Sequence, residues 1–165
     1  MNSDKFKYDF MRYNRYFVLR ANILIFLILC YLCKDIFLIM GVGATAFKSK
    51  GGDVSDIMVL VSPIYFISDL PALAVSYALS ARQPNAGNLP RLIWRNGQFL
   101  LSLSACLHLL LLGLKAKWDF DDMGLVQWLV IVIDIAIVIY VNSSEFIKDL
   151  FSEFPDQENT KKPAK

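Results

Sequence analysis

Apolar residues in this chain gather into four long blocks separated by short polar stretches. An α-helix rising about 1.5 Å per residue needs about 20 apolar residues to cross a hydrocarbon core about 30 Å thick. The blocks predict spans at about 17–44, 57–79, 97–114 and 124–142. The first exceeds what a crossing requires, which predicts tilt or a break, with Gly41 and Gly43 placed to loosen its far end. The second carries Pro63 near its start and Pro71 past its middle. An interior proline frees a backbone carbonyl and kinks a span when neighbours satisfy that group again.

The flanks have a different pattern. Residues 1–16 interleave Lys5, Lys7, Arg12 and Arg15 with Phe6, Tyr8, Phe10, Tyr13 and Tyr16, which suits an interfacial tail at the lipid headgroups. In 145–165, Phe146, Ile147, Leu150, Phe151 and Phe154 share one face at helical spacing, opposite Glu145, Lys148, Asp149 and Glu153. This predicts a short amphipathic helix ended by Pro155, then a polar, disordered tail.

Charge fixes the expected orientation. Lys5, Lys7, Arg12, Arg15 and Arg20, the loop residues Arg82, Arg91 and Arg95, and the C-terminal Lys148, Lys161, Lys162 and Lys165 fall on one side. Only Lys48, Lys50, Lys115 and Lys117 fall on the other. The positive-inside rule then puts both termini in the cytoplasm. A basic start before an apolar stretch, with Ala44-Thr45-Ala46 beyond it, resembles a signal peptide. The stretch is too long for an h-region of about 7–15 residues and is broken by Lys34-Asp35, so it reads as a retained span.

Composition agrees with the pattern. The 165 residues are 56% hydrophobic and 19% charged, and the apolar excess sits in blocks. Net charge is only +2 and no basic soluble domain exists, which excludes a nucleic-acid binder. P-loop, GxGxxG, GxSxG and HExxH motifs are absent, so no cofactor is expected and a soluble-type enzyme is disfavoured.

The candidate chemistry is inside the blocks. Lys34 and Asp35 interrupt the first, Asp69 lies in the second, His108 in the third and Asp134 in the fourth. A charge at a helix centre costs about 2.5–3.5 kcal/mol on insertion scales, so these five residues are expected to form an intramembrane polar layer of mutual partners. In the structural reading, Lys34 pairs with Asp69 or Asp134, and His108 bonds to a carboxylate or a serine. In a transport reading, the carboxylates and His108 relay protons or hold a cation. One histidine with scattered acids is a poor metal set, and no metal is expected. Cys30-Tyr31-Leu32-Cys33 is a CxxC, but it lies deep in the first span, and Cys106 is also in an apolar block, so redox work is a remote alternative. In the central loop, Arg82, Arg91, Trp94 and Arg95 could grip lipid headgroups or a partner protein.

Asp69-Leu70-Pro71-Ala72-Leu73, then Ala81-Arg82-Gln83-Pro84-Asn85-Ala86, then Arg91-Leu92-Ile93-Trp94-Arg95-Asn96-Gly97 and a Leu/Ser-rich third span carry a family likeness. The Phe151-Ser152-Glu153-Phe154-Pro155 ending adds to it. The chain resembles a family of uncharacterised proteobacterial inner-membrane proteins, a YfeZ-like domain of unknown function. The resemblance covers 57–155 well and the first span loosely. It implies four spans and a bacterial inner membrane, and no reaction. The sequence therefore predicts an all-α integral membrane bundle of four transmembrane helices with both termini cytoplasmic. The expected role is that of a non-catalytic accessory or scaffolding subunit, whose partners are membrane lipids and other membrane proteins or itself. An oligomeric proton- or cation-coupled transporter is the alternative.

Overall fold

The computed structural model describes residues 7–14, 16–48, 63–115 and 124–155. Among them the chain forms seven α-helices and no strand: α1 (Ile23–Leu32), α2 (Lys34–Lys48), α3 (Phe66–Ser80), α4 (Asn88–Arg95), α5 (Gly97–Lys115), α6 (Leu125–Ser143) and α7 (Glu145–Ser152). α5 and α6 are each long and apolar enough to cross a membrane. α1 and the start of α2 make a third candidate crossing if the pair, bent by 58°, is one span. α3, preceded by a 3-10 turn at Pro63–Tyr65, is apolar but only 15 residues long. Residues 57–62 of the expected second span lie outside the described residues.

The first helix begins later than the apolar pattern predicts. Before it the backbone doubles back, pairing Tyr13 with Leu19 as an isolated antiparallel bridge. Asn14 Oδ1 accepts from the N–H groups of Tyr16 and Val18, and Phe17 takes the left-handed conformation at φ 57°. Asn22 then caps α1 by accepting from Ile25 N–H at 3.0 Å. A polar residue able to satisfy a free amide therefore sets the helix start, not the first greasy side chain.

The break in the first span is at Cys33, not at Gly41 or Gly43; Gly41 continues α2. The cause is the adjacent Lys34-Asp35 pair. Starting a new helix there turns both charges, and the free amides of that helix's first turn, toward partners on α3 and α5.

α5 is the central post and packs most extensively against α3 and α6. Small buried residues on the facing surfaces, Ala72 and Ala78 on α3 and Ser104 and Ala105 on α5, allow close approach of the backbones. Pro71 sits inside α3 without ending it. At one end of the bundle α7 folds back as an amphipathic helix. Its Ile147, Leu150 and Phe151 are buried, Glu145 and Lys148 exposed, and it ends at Ser152, ahead of Pro155. Ser144 caps it by accepting from Ile147 N–H. The N-terminal segment docks on α7: Lys7 Nζ is 2.8 Å and Tyr8 Oη 2.7 Å from Asp149 Oδ2, and Tyr8 meets the Phe146 ring edge-on.

Two outcomes are expected. A methyl at Gly97 would enter the ring of Phe151, so Gly97→Ala should lower thermal stability in detergent by about 1–3 kcal/mol, with partial recovery in Gly97→Ala/Phe151→Leu. The hydrogen bonds from Lys7 and Tyr8 hold the Asp149 carboxyl below its ordinary range. A lowered folded-state value means that docking is fully supported above the unfolded carboxylate value of about 4 and weakens as pH falls through the lowered one. Spin labels at Asp9 and Lys148 should report a distance distribution that broadens on acidification, and Asp149→Asn should remove that pH dependence.

Candidate functional site: a buried charge layer

Four of the five ionisable residues singled out in the apolar blocks meet in the structure, and the fifth, Asp69, bonds the backbone beside them. Lys34 Nζ lies 3.2 Å from Asp35 Oδ2 and 3.1 Å from His108 Nε2. His108 Nδ1 lies 2.7 Å from Asp134 Oδ2, and Nε2 lies 4.0 Å from Asp35 Oδ2. Asp69 Oδ2 accepts from Ile36 N–H at 3.0 Å. Asp69 and Asp134 are almost wholly enclosed, at 1% and 0% exposure.

Each position has a local cause. Lys34 and Asp35 open α2, so their backbone amides lack intrahelical acceptors. Asp69, from the first turn of α3, supplies one across the helix interface. A carboxylate at a helix N-terminus satisfies a donor and complements the positive end of the helix dipole. Ser68 and Ser104 tie the second and third walls together: Ser104 Oγ donates to Ser68 O at 2.6 Å, and Ser68 Oγ donates to Tyr65 O. His108 lies one turn beyond Ser104 on α5, where the edge of Tyr65 meets its ring at 5.4 Å. Asp134 faces it from the middle of α6.

The hydrogen-bond pattern assigns the histidine tautomer. An ammonium only donates, so Nε2 facing Lys34 is the acceptor, and Nδ1 carries the hydrogen donated to Asp134. The ring then bridges the Lys34 side chain and the Asp134 carboxyl, and Asp35 meets Lys34 from its other side. Asp134 Oδ1 has no hydrogen-bond partner, although the Tyr31 side chain faces this carboxylate while its hydroxyl donates a long 3.4 Å bond to Val130 O.

The pairing differs in detail from the sequence expectation. Lys34 pairs with Asp35 and His108, not with Asp69 or Asp134. Asp69 instead accepts from the amide of Ile36. Sequence reasoning missed Tyr31, whose ring lies 4.8 Å from Lys34 Nζ, and Ser68. A tyrosine one residue into the CxxC, three before Lys34, was the available signal. Gln127, two turns before Asp134, does not join the layer; its Oε1 accepts from Gly124 N–H at the α6 start. No group of three or more potential metal ligands occurs among the described residues. Cys30 is exposed on α1 and Cys33 is buried at the break, and both are free thiols.

The loop residues expected to meet lipid or a partner are mostly turned inward. Trp94 is 1% exposed and donates its indole N–H to the carbonyls of Leu150 and Glu153, both at 3.0 Å. Arg82 donates to Leu19 O at 2.7 Å and Glu153 O at 2.8 Å, with its guanidinium 4.5 Å from the Trp94 ring. Burial draws Arg82 down to about 10, against the opposing pull of Glu153, so it stays charged at neutral pH. Arg91 donates to Pro84 O and Pro155 O. Leu19 N–H closes the set on Glu153 Oε2 at 2.7 Å. The three residues therefore staple the N-terminal segment, the central loop and the α7 end together, and Arg95 alone of the four is exposed.

An all-helical protein with two to three candidate crossings and a charge layer between them is the class that these features define. The chain belongs to the family described as Protein of unknown function (DUF2919), whose model matches residues 8–153. The match takes in the first span as well as the stretch from 57 onward that carries the resemblance. No curated protein and no solved structure matches the chain.

The layer predicts a coupling that can be measured. His108→Leu should cost about 3–5 kcal/mol by leaving Asp134 buried and unpaired. His108→Leu/Asp134→Leu should cost less than the sum of the single changes in detergent unfolding. Asp69→Asn, which keeps an acceptor for Ile36 N–H, should be milder than Asp69→Leu, which strands that amide at about 1–3 kcal/mol.

Proposed function

We propose that this is a four-span protein of the bacterial inner membrane, with both termini cytoplasmic, that acts as a non-catalytic accessory or scaffolding subunit. The observation that carries this reading is the mutual satisfaction of the buried charges. Lys34, His108, Asp35 and Asp134 form one continuous chain, and Asp69 caps the broken first span. Such groups hold the bend of α1 on α2 and the register of α5 against α6. The Lys and Arg distribution supports the orientation, and the α7 staple fits a headgroup-level cap on the cytoplasmic side. Its partners on this reading are membrane lipids and other membrane proteins or a second copy of itself, and it takes no cofactor.

A second reading, an oligomeric proton- or cation-coupled transporter, is favoured by two observations. The first span is broken beside the charges, as in helices that line ion sites, and Asp134 Oδ1 has no partner. Thiol redox work draws less support, because Cys30 and Cys33 sit far from any loop in the helical run that starts at Ile23.

Liposomes carrying the purified protein should show no more pH-driven proton flux or sodium flux than empty liposomes, while Asp134→Asn lowers unfolding temperature. Wild-type flux that disappears in a folded Asp134→Asn protein would replace the scaffold reading with the transport one. Accessibility labelling of single cysteines placed in 1–16 and 156–165 should find both ends on the cytoplasmic side.

A further inference from the structure

A groove of about 450 Å³ runs between α1 and α3 on the outer surface of the bundle, lined by Phe26, Cys30 and Phe37 on one side and Leu73 and Leu79 on the other. Phe26 and Leu79 also border a second recess, which holds Arg20, Asn14 and Arg82. The two therefore adjoin: an apolar groove beside a cationic recess. The length of the groove is telling. From the start of α1 at Ile23 to the break at Cys33 a helix rises about 15 Å, which is half of a hydrocarbon core about 30 Å thick. The groove thus covers one leaflet, and its charged mouth falls at headgroup depth.

The mouth has one unused cation. Arg82 spends its two terminal nitrogens on Leu19 O and Glu153 O, and its Nε is enclosed, so it contributes positive charge to the mouth and no free donor. Arg20 is exposed, and its side chain makes no hydrogen bond or ion pair among the described residues. Glu153, the nearby carboxylate, is occupied by Leu19 N–H and borders a different recess, with Trp94 and Arg91. An exposed cation on the same recess as a second guanidinium suits an anionic oxygen. An apolar trough leading away from it calls for an alkyl chain.

We infer that the α1–α3 groove is a binding site for one anionic glycerophospholipid, whose phosphate meets Arg20 at the recess that Arg82 and Asn14 also line, and whose acyl chain lies along Phe26, Cys30 and Leu73 as far as the break at Cys33. The inference deepens the lipid contact in the proposed function. It rests on the cytoplasmic orientation only for the choice of leaflet, so a test in detergent can fail without touching topology, and the topology test can fail without touching the site.

Native mass spectrometry of the full chain in a non-ionic detergent, titrated with phosphatidylglycerol or phosphatidylcholine, provides the test. Phosphatidylglycerol should bind at least about tenfold more tightly than phosphatidylcholine. Arg20→Gln should remove most of that preference, Arg20→Lys should keep most of it, and Cys30→Trp, a filling change at an exposed position, should block both lipids. Arg82→Gln is the less direct variant, because Arg82 also holds Leu19 and Glu153. Equal binding of the two lipids by the wild-type protein, or an Arg20→Gln variant that retains the preference, would overturn the inference. Displacement of the lipid by millimolar inorganic phosphate, or efficient Cys30-to-Cys30 crosslinking between two copies, would give the groove to another occupant and overturn it as well.

Discussion

A helix interrupted among apolar neighbours exposes amides that have lost their intrahelical acceptors, and in a hydrocarbon setting no water reaches them. The break at Cys33 creates this problem, and Asp69 answers it by accepting from Ile36 N–H across the interface with α3. The cap brings α3 against the start of α2. The same break swings Lys34 and Asp35 toward His108, and His108 reaches Asp134 on α6. One defect in a helix thus ties together four helices. The small faces of α3 and α5 then bring the backbones close enough for hydroxyl-to-carbonyl bonds such as Ser104 to Ser68.

The charge layer explains why polar groups this deep persist at all. Taken singly, each would be costly to bury. As a chain, each ion has a neighbour of complementary character: ammonium between carboxylate and imidazole, imidazole between ammonium and carboxylate. The opposite end of the bundle uses another device for the same purpose. There Trp94, Arg82 and Arg91 reach backbone carbonyls that end elements have left without donors, and in doing so they fix the N-terminal segment and α7 to the loop. Structural economy accounts for both, and it leaves Arg20 and the outer groove beside it as the feature that the fold itself does not use.

How much of this was legible in the sequence depends on the range of the interaction. The five members of the layer could be named because an ionisable residue within an apolar run has few places to go but inward. The amphipathic character of α7 was equally plain, since Ile147, Leu150 and Phe151 repeat at helical spacing against charged neighbours. The start of α1 was misplaced by several residues, because hydrophobicity says nothing of the cap at Asn22 or the doubled-back segment before it. The loop arginines looked like surface cations; only folding reveals that carbonyls from residues more than sixty positions away await them.

Composition and periodicity by themselves determined that the chain is helical, apolar in blocks and basic at its flanks, because those properties depend on local content and the period of one helix. Tertiary structure decided the rest. It placed the break at Cys33, chose His108 over Asp69 as the partner of Lys34, and interior over surface for Trp94. Each of these choices turns on which distant group lies within about 3 Å of a donor, a distance that no stretch of sequence encodes locally.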